Sequence, residues 1–165
     1  MRARPSAEDA SSGEKEWTEA DVEAVAVGLL ARREHSREEL ARKLAARGAP
    51  PEAIEAVLDR LVARRLQSDA RYAESLVSSR LGRGQGPVRI RRELAQQGVE
   101  ASLVDEALDA CGEDWAAAAR EVRRRKFGAE VPTAWKDKAR QMRFLEYRGF
   151  TSEQIRAAMG DDDLA

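Results

Sequence analysis

Residues 80–94, RLGRGQGPVRIRREL, carry five arginines (Arg80, Arg83, Arg89, Arg91 and Arg92), and no acid appears before Glu93. A guanidinium is always charged and presents a planar fork of donors, so such a cluster suits phosphates or carboxylates. A second run follows at Arg120, Arg123, Arg124, Arg125 and Lys126, relieved only by Glu121. Most arginine runs are simply solvated helix faces. Two clusters recurring without matching acids point instead to a docking surface for an anionic partner.

Catalytic chemistry finds little support elsewhere. Gly82, Gly84 and Gly86 alternate as in a phosphate cradle, yet no strand precedes them and no Gly-Lys-Ser/Thr follows. No dinucleotide fingerprint, HExxH or GxSxG occurs. One histidine and one cysteine exclude a His/Cys zinc site. His35, between two predicted helices, reads as a surface or capping residue, and Cys111 as a small apolar one. Trp17, Trp115 and Trp135 read as packing anchors. Asp161, Asp162 and Asp163 at the end of the chain read as solubilising. No catalytic residue, cofactor or metal is therefore expected.

The elements that position the arginines follow from apolar periodicity. Val22, Ala26, Leu29 and Leu30 form one helical stripe behind a Thr18/Asp21 capping pair. Ser36 with Glu39 reads as a capping box for a helix holding Leu40 and Leu44, stopped by Gly48. Pro50-Pro51 opens a third helix with Ile54, Val57, Leu58 and Leu61 inside. The pattern then returns. Gly48, Gly98 and Gly149 recur at 50 and 51 residues, each with a leucine four positions earlier (Leu44, Leu94, Leu145). Ile54, Val104 and Ile155 stand six after the glycines, and Leu58, Leu108 and Met159 ten after. These matches fall where a repeat must preserve packing.

The spacing thus predicts an all-α protein of three tandem three-helix, helix-turn-helix-like repeats, forming an elongated, curved array. Helices are expected over 19–33, 37–47, 51–64, 69–83, 87–97, 101–111, 114–127, 134–148 and 152–159. The domain plan is a flexible tail at 1–16, repeats at 17–66, 67–112 and 113–160, and an acidic tail at 161–165. In this frame RLGRGQGPVRIRREL is the first inter-helix corner of the second repeat, with Gly86-Pro87 standing where Ser36-Arg37 stands in the first. The corner is expected to converge arginines and free helix N-terminal N–H groups on one spot, as anion recognition requires.

At 165 residues the chain can bury a real core, and 42% apolar with 36% charged residues favours helices. The net charge of −1 hides an excess of about three positive charges in residues 17–159, enough to permit nucleic acid or an acidic groove as partner without demanding either. No run approaches a membrane span and no secretory h-region is present, so a cytoplasmic protein, expected as a monomer, is read.

Four segments together carry a resemblance: LLARREHSREELARKLAARG (29–48), SDARYAESLVSSRLGRGQGPVRIRRELAQQGV (68–99), RRRKFG (123–128) and RQMRFLEYRGFTSEQIRAAM (140–159). In order and spacing they resemble the bacterial RecX family of RecA regulators, over roughly residues 20–159. One departure is Ser68, where the family often has a second acid before Asp69. The resemblance implies binding along the groove of the RecA–single-stranded DNA filament, with suppression of RecA's ATPase, strand-exchange and co-protease activities, and so an influence on recombination, repair and the SOS response. In that setting the two arginine clusters would meet RecA acids or DNA phosphates. The competing reading is a sequence-independent DNA-binding repeat protein that acts without RecA.

Overall fold

The computed structural model describes residues 16–160; the two predicted tails fall almost wholly outside that range. It contains α1 (Glu19–Leu30), α2 (Arg37–Ala46), α3 (Pro51–Ala63), α4 (Asp69–Gly82), α5 (Pro87–Gln96), α6 (Ala101–Ala110), α7 (Trp115–Phe127), α8 (Trp135–Arg148) and α9 (Ser152–Ala158). No strand occurs among the described residues. Expected and observed helices match within a residue at nearly every end. The exception is α1, which stops at Leu30 rather than 33. There Arg33 leaves the helix to bind the Glu34 carbonyl and the Glu39 carboxylate.

Each set of three helices closes its own core. Val22, Ala26, Leu40, Leu44, Val57, Leu58 and Leu61 are fully buried in the first. Tyr72, Val77, Ile90, Leu94, Val104 and Leu108 fill the second. Ala119, Leu145, Phe150, Ile155 and Met159 fill the third. Trp115 touches both the second and third cores, whereas Trp135, expected as an anchor, is 74% exposed. Cys111 is half-buried, its thiol donating to the Leu108 carbonyl.

Besides Trp115, the three units meet through polar groups at their helix ends. At one junction Gly86 N–H donates to the Arg148 carbonyl (2.8 Å) and Val88 N–H to the Gly149 carbonyl (2.9 Å). The start of α5 therefore abuts the end of α8. At the other, Ser36 Oγ donates to the Gln97 carbonyl at 2.7 Å while accepting from Glu39 N–H, so the start of α2 abuts the end of α5. The two contacts are equivalent under the fifty-residue repeat. At the first, unpaired N–H groups of one helix start meet unpaired carbonyls of another helix end, with dipoles head to tail; at the second, the Ser36 hydroxyl is the donor.

Close approach explains the residue types. A Cβ on Gly149 would lie 2.7 Å from Arg89 N and nearer still to Arg89 Cβ, and one on Gly86 would lie 2.5 Å from the Gly149 carbonyl carbon. The 69–74 segment DARYAE resolves in the same way. Asp69 Oδ1 accepts from Arg37 N–H at 2.8 Å, capping a helix of the preceding unit, and Arg71 reaches back to Glu34 at 2.9 Å. Tyr72 and Ala73 belong to the core.

Two expectations about the first corner need correction. The Ser36/Glu39 box is half-formed: Ser36 caps Glu39 N–H, but the Glu39 carboxylate turns to Arg33 (2.5 Å) and Lys43 (3.3 Å). His35 is no surface residue, being 2% exposed. Its Nδ1 lies 3.0 Å from the Arg33 carbonyl and its Nε2 3.1 Å from Lys43 Nζ, which together select the neutral tautomer protonated on Nδ1. Burial pushes its pKa below the usual value of 6.5, and the neighbouring charges of Arg33 and Lys43 add to this against Glu39.

Two outcomes follow. Gly149→Ala should open the junction between the second and third units, seen as a larger radius of gyration in small-angle scattering. Gly48→Ala imposes a similar penalty at φ 91° against 95°, but its Cβ meets only Trp17 Nε1 at 3.6 Å, and the radius should not change. For His35, the native ring stays neutral while the unfolded one binds a proton below about 6.5. Stability is thus full above that pH and falls as pH drops beneath it. The urea midpoint should decline from pH 7.5 to about 5.5 in wild type, and less steeply in His35→Gln.

Candidate nucleic-acid and filament interface

An open trough of about 960 Å³ lies where α4 and α5 face α8. Arg80, Arg83, Arg89 and Arg92 line it, together with Arg143 and Tyr147 of α8 and the amides of Gln85, Gln96 and Gln97. A second depression of about 460 Å³ continues it past Tyr72 and Ser79 to Arg33 and Glu39, sharing Arg80, Arg83, Glu93 and Gln97. One continuous surface thus crosses all three units.

The arginines in it are not equivalent. Arg80 is held by Glu93 through paired hydrogen bonds, Nε to Oε2 at 2.8 Å and a second between Nη2 and Oε1. Those bonds hold the Glu93 carboxyl below its usual range, burial opposes the shift, and the charges of Arg80, Arg89 and Arg83 reinforce it. Arg83, Arg89, Arg92 and Arg143 form no ion pair with any acid among the described residues. Arg89 instead places its guanidinium 5.5 Å from the ring centre of Tyr147, which is 75% exposed. These cations face solvent with their charge uncompensated.

The other expected residues divide. Arg91 points away from the trough and pairs with Asp105 on α6. Arg125 and Lys126 join Arg83, Arg148 and Phe144 around a smaller hollow of about 290 Å³, so the two clusters do meet, at Arg83. Arg124 and Arg125 both bind Glu121 (2.9 Å each), and exposed Arg120 reaches the Ala157 carbonyl at 3.4 Å.

Arg123 must be withdrawn from the surface. It is 3% exposed and donates to the carbonyls of Ala158 (3.1 Å), Glu130 (3.2 Å), Ala129 (3.2 Å) and Gly128 (3.4 Å), and to Gln141 Oε1 (3.4 Å). It pins the loop after α7 and the end of α9, because those carbonyls have no helical partner of their own.

The helix N-terminus at the corner is also not available to an anion. Gly86 and Val88 N–H are taken by α8, and Pro87 has none, so side chains rather than this helix start carry the site. Sequence reasoning missed Arg143 and Tyr147; their i, i+4 spacing on α8 marks one face, but only the fold shows that this face borders the arginines of the neighbouring unit. Among the described residues no group of three His, Cys, Asp or Glu could hold a metal, and no helix is long and apolar enough to cross a membrane.

Three family profiles match in order: RecX first three-helix domain over residues 24–61, second over 68–108 and third over 113–159. The chain belongs to the RecX family. Relatives named "Regulatory protein RecX" include one from Pseudomonas fluorescens, 52% identical over 134 residues (81% of this chain, 86% of the relative). Another, from Halorhodospira halophila, is 50% identical over 142 residues (86% and 88%). The crystal structure of RecX from Lactobacillus salivarius shares the fold at TM-score 0.73 and 19% identity, covering 89% of this chain and 97% of that one. A crystal structure of regulatory protein RecX aligns at TM-score 0.70 and 25% identity, over 87% and 74%.

Placing Arg123 inside the third unit generates a direct contrast. Arg123→Met should destabilise that unit by about 3 kcal/mol or more, since it orphans several buried carbonyls at once. Arg124→Ala and Arg125→Ala should leave the urea midpoint unchanged.

Proposed function

We propose that this protein regulates RecA by lying along the groove of the RecA–single-stranded DNA filament and suppressing its ATPase, strand-exchange and co-protease activities. It would thereby restrain recombination, repair and the SOS response in the cytoplasm. The observation that carries this reading is the trough crossing three units with Arg83, Arg89, Arg92 and Arg143 unneutralised. A surface of that length suits a partner that is itself a repeating polymer, since successive units can meet successive protomers.

The mechanism needs no catalytic group. A ligand shifts a filament equilibrium only by binding its states unequally. Three units joined by small polar junctions bind best to protomers at one spacing, so whichever arrangement fits that spacing is favoured and the others are depleted. Growth is blocked or disassembly promoted according to which arrangement that is. Complementary charge steers the encounter and fixes register more than it sets affinity. The domain plan of three repeats at 17–66, 67–112 and 113–160 is the unit count we assign to this contact.

The test is charge reversal on α5. Arg89→Glu with Arg92→Glu should raise the concentration needed to inhibit RecA's ATPase by at least tenfold while the circular dichroism melt stays in place, because neither side chain is an ion-pair partner in the fold. Inhibition at wild-type concentrations would remove these residues from the site.

A further inference from the structure

We infer that the trough binds single-stranded nucleic acid directly, with Tyr147 as the stacking surface for an unpaired base. The inference deepens the reading of the same site but does not depend on RecA.

Three observations converge on it. Tyr147 is 75% exposed on a wall whose only other apolar side chain is Val88, itself 40% exposed. A protein hot spot would surround such a ring with apolar contacts and exclude water around it; here its neighbours are arginines, amides and glutamates. Second, Arg89 lies 5.5 Å from the ring centre, which leaves the ring otherwise open to solvent. A base on the open ring would complete an arginine–tyrosine–base stack. Third, Arg83, Arg92 and Arg143 flank the ring without acid partners and can follow a phosphate backbone, while Gln96 and Gln97 offer both donors and acceptors to base edges.

A charged channel with an exposed aromatic is how sequence-tolerant single-strand binding works: the cations track phosphates and the ring takes any base, because every base has a π-face. Duplex is the poorer ligand on this wall. Its bases are already stacked on both sides, so only the phosphate contacts remain.

Fluorescence anisotropy without RecA tests this at low salt, using three probes of the same sequence: a labelled single strand of about 20 nucleotides, longer than one site, its abasic counterpart and its duplex. Tyr147→Ala should weaken the single strand by about tenfold, as expected for one stacked base, and Tyr147→Phe should bind as wild type. The abasic strand should bind wild type about tenfold more weakly than the normal strand and be indifferent to Tyr147→Ala, as should the duplex. If wild type binds no strand, or if Tyr147→Ala changes all three probes equally or none, the inference is overturned. The ring's exposure makes loss of folding no explanation, and a melt of each variant checks it. Because RecA is absent, failure here leaves the ATPase result standing, and failure there leaves this one standing.

Discussion

The whole arrangement depends on two places where the start of one helix meets the end of another. At Gly86 and Val88 against Arg148 and Gly149, and at Ser36 against Gln97, the end of one helix satisfies the start of another in the preceding unit. Helix termini carry unpaired N–H and C=O groups that must find partners or water. Using one terminus to cap another resolves both at once and aligns the dipoles. At Gly86 and Gly149 it also demands that no side chain intervene, whereas at the other junction the Ser36 hydroxyl itself makes the bond. Everything at the trough inherits this constraint, since α4 and α5 face α8 only because Gly86 lets the two backbones come within hydrogen-bonding distance.

That constraint has a functional consequence. The units have separate cores, bridged between the second and third by Trp115, and their helix ends are joined by a few directional bonds, each worth about 1 kcal/mol net. Apolar interfaces slide at little cost per step, whereas these bonds exist at one register or not at all. The trough is accordingly a surface of defined spacing, built from units that could part under load. Its charges are tuned in the same spirit. Glu93 neutralises the half-buried Arg80, while Arg83, Arg89, Arg92 and Arg143 have no acid partner among the described residues.

Much of this was legible from residue order. The helices, the fifty-residue period and the core leucines could be read because packing imposes a period and short caps announce helix starts. The Thr18/Asp21 and Thr151/Gln154 boxes form as their spacing predicts. What could not be read depends on who the neighbour is. Ser36 and Glu39 have the spacing of a box, but Arg33 and Lys43 outbid the Ser36 N–H for the carboxylate. Arg123 is indistinguishable in sequence from Arg124, yet one helical step of about 100° turns it from solvent to a nest of loop carbonyls. Arg143 and Tyr147 lie more than fifty residues from the arginines they join, and no local pattern links them.

The same comparison of units shows how the two outer positions of the repeat differ from the two junctions. Under the repeat, Asp137 occupies the place of Gly86, but α8 begins two residues earlier, at Trp135. The start of α8 thus differs from those of α2 and α5, and it carries an exposed tryptophan. At the opposite end, Gly48 is the equivalent of Gly98 and Gly149. Where those two meet Glu38 and Arg89 of the preceding unit, Gly48 meets Trp17, which folds back from before α1. Trp17 therefore takes at Gly48 the place that a side chain or backbone of a neighbouring unit takes at Gly98 and Gly149, and covers that helix end from within its own unit.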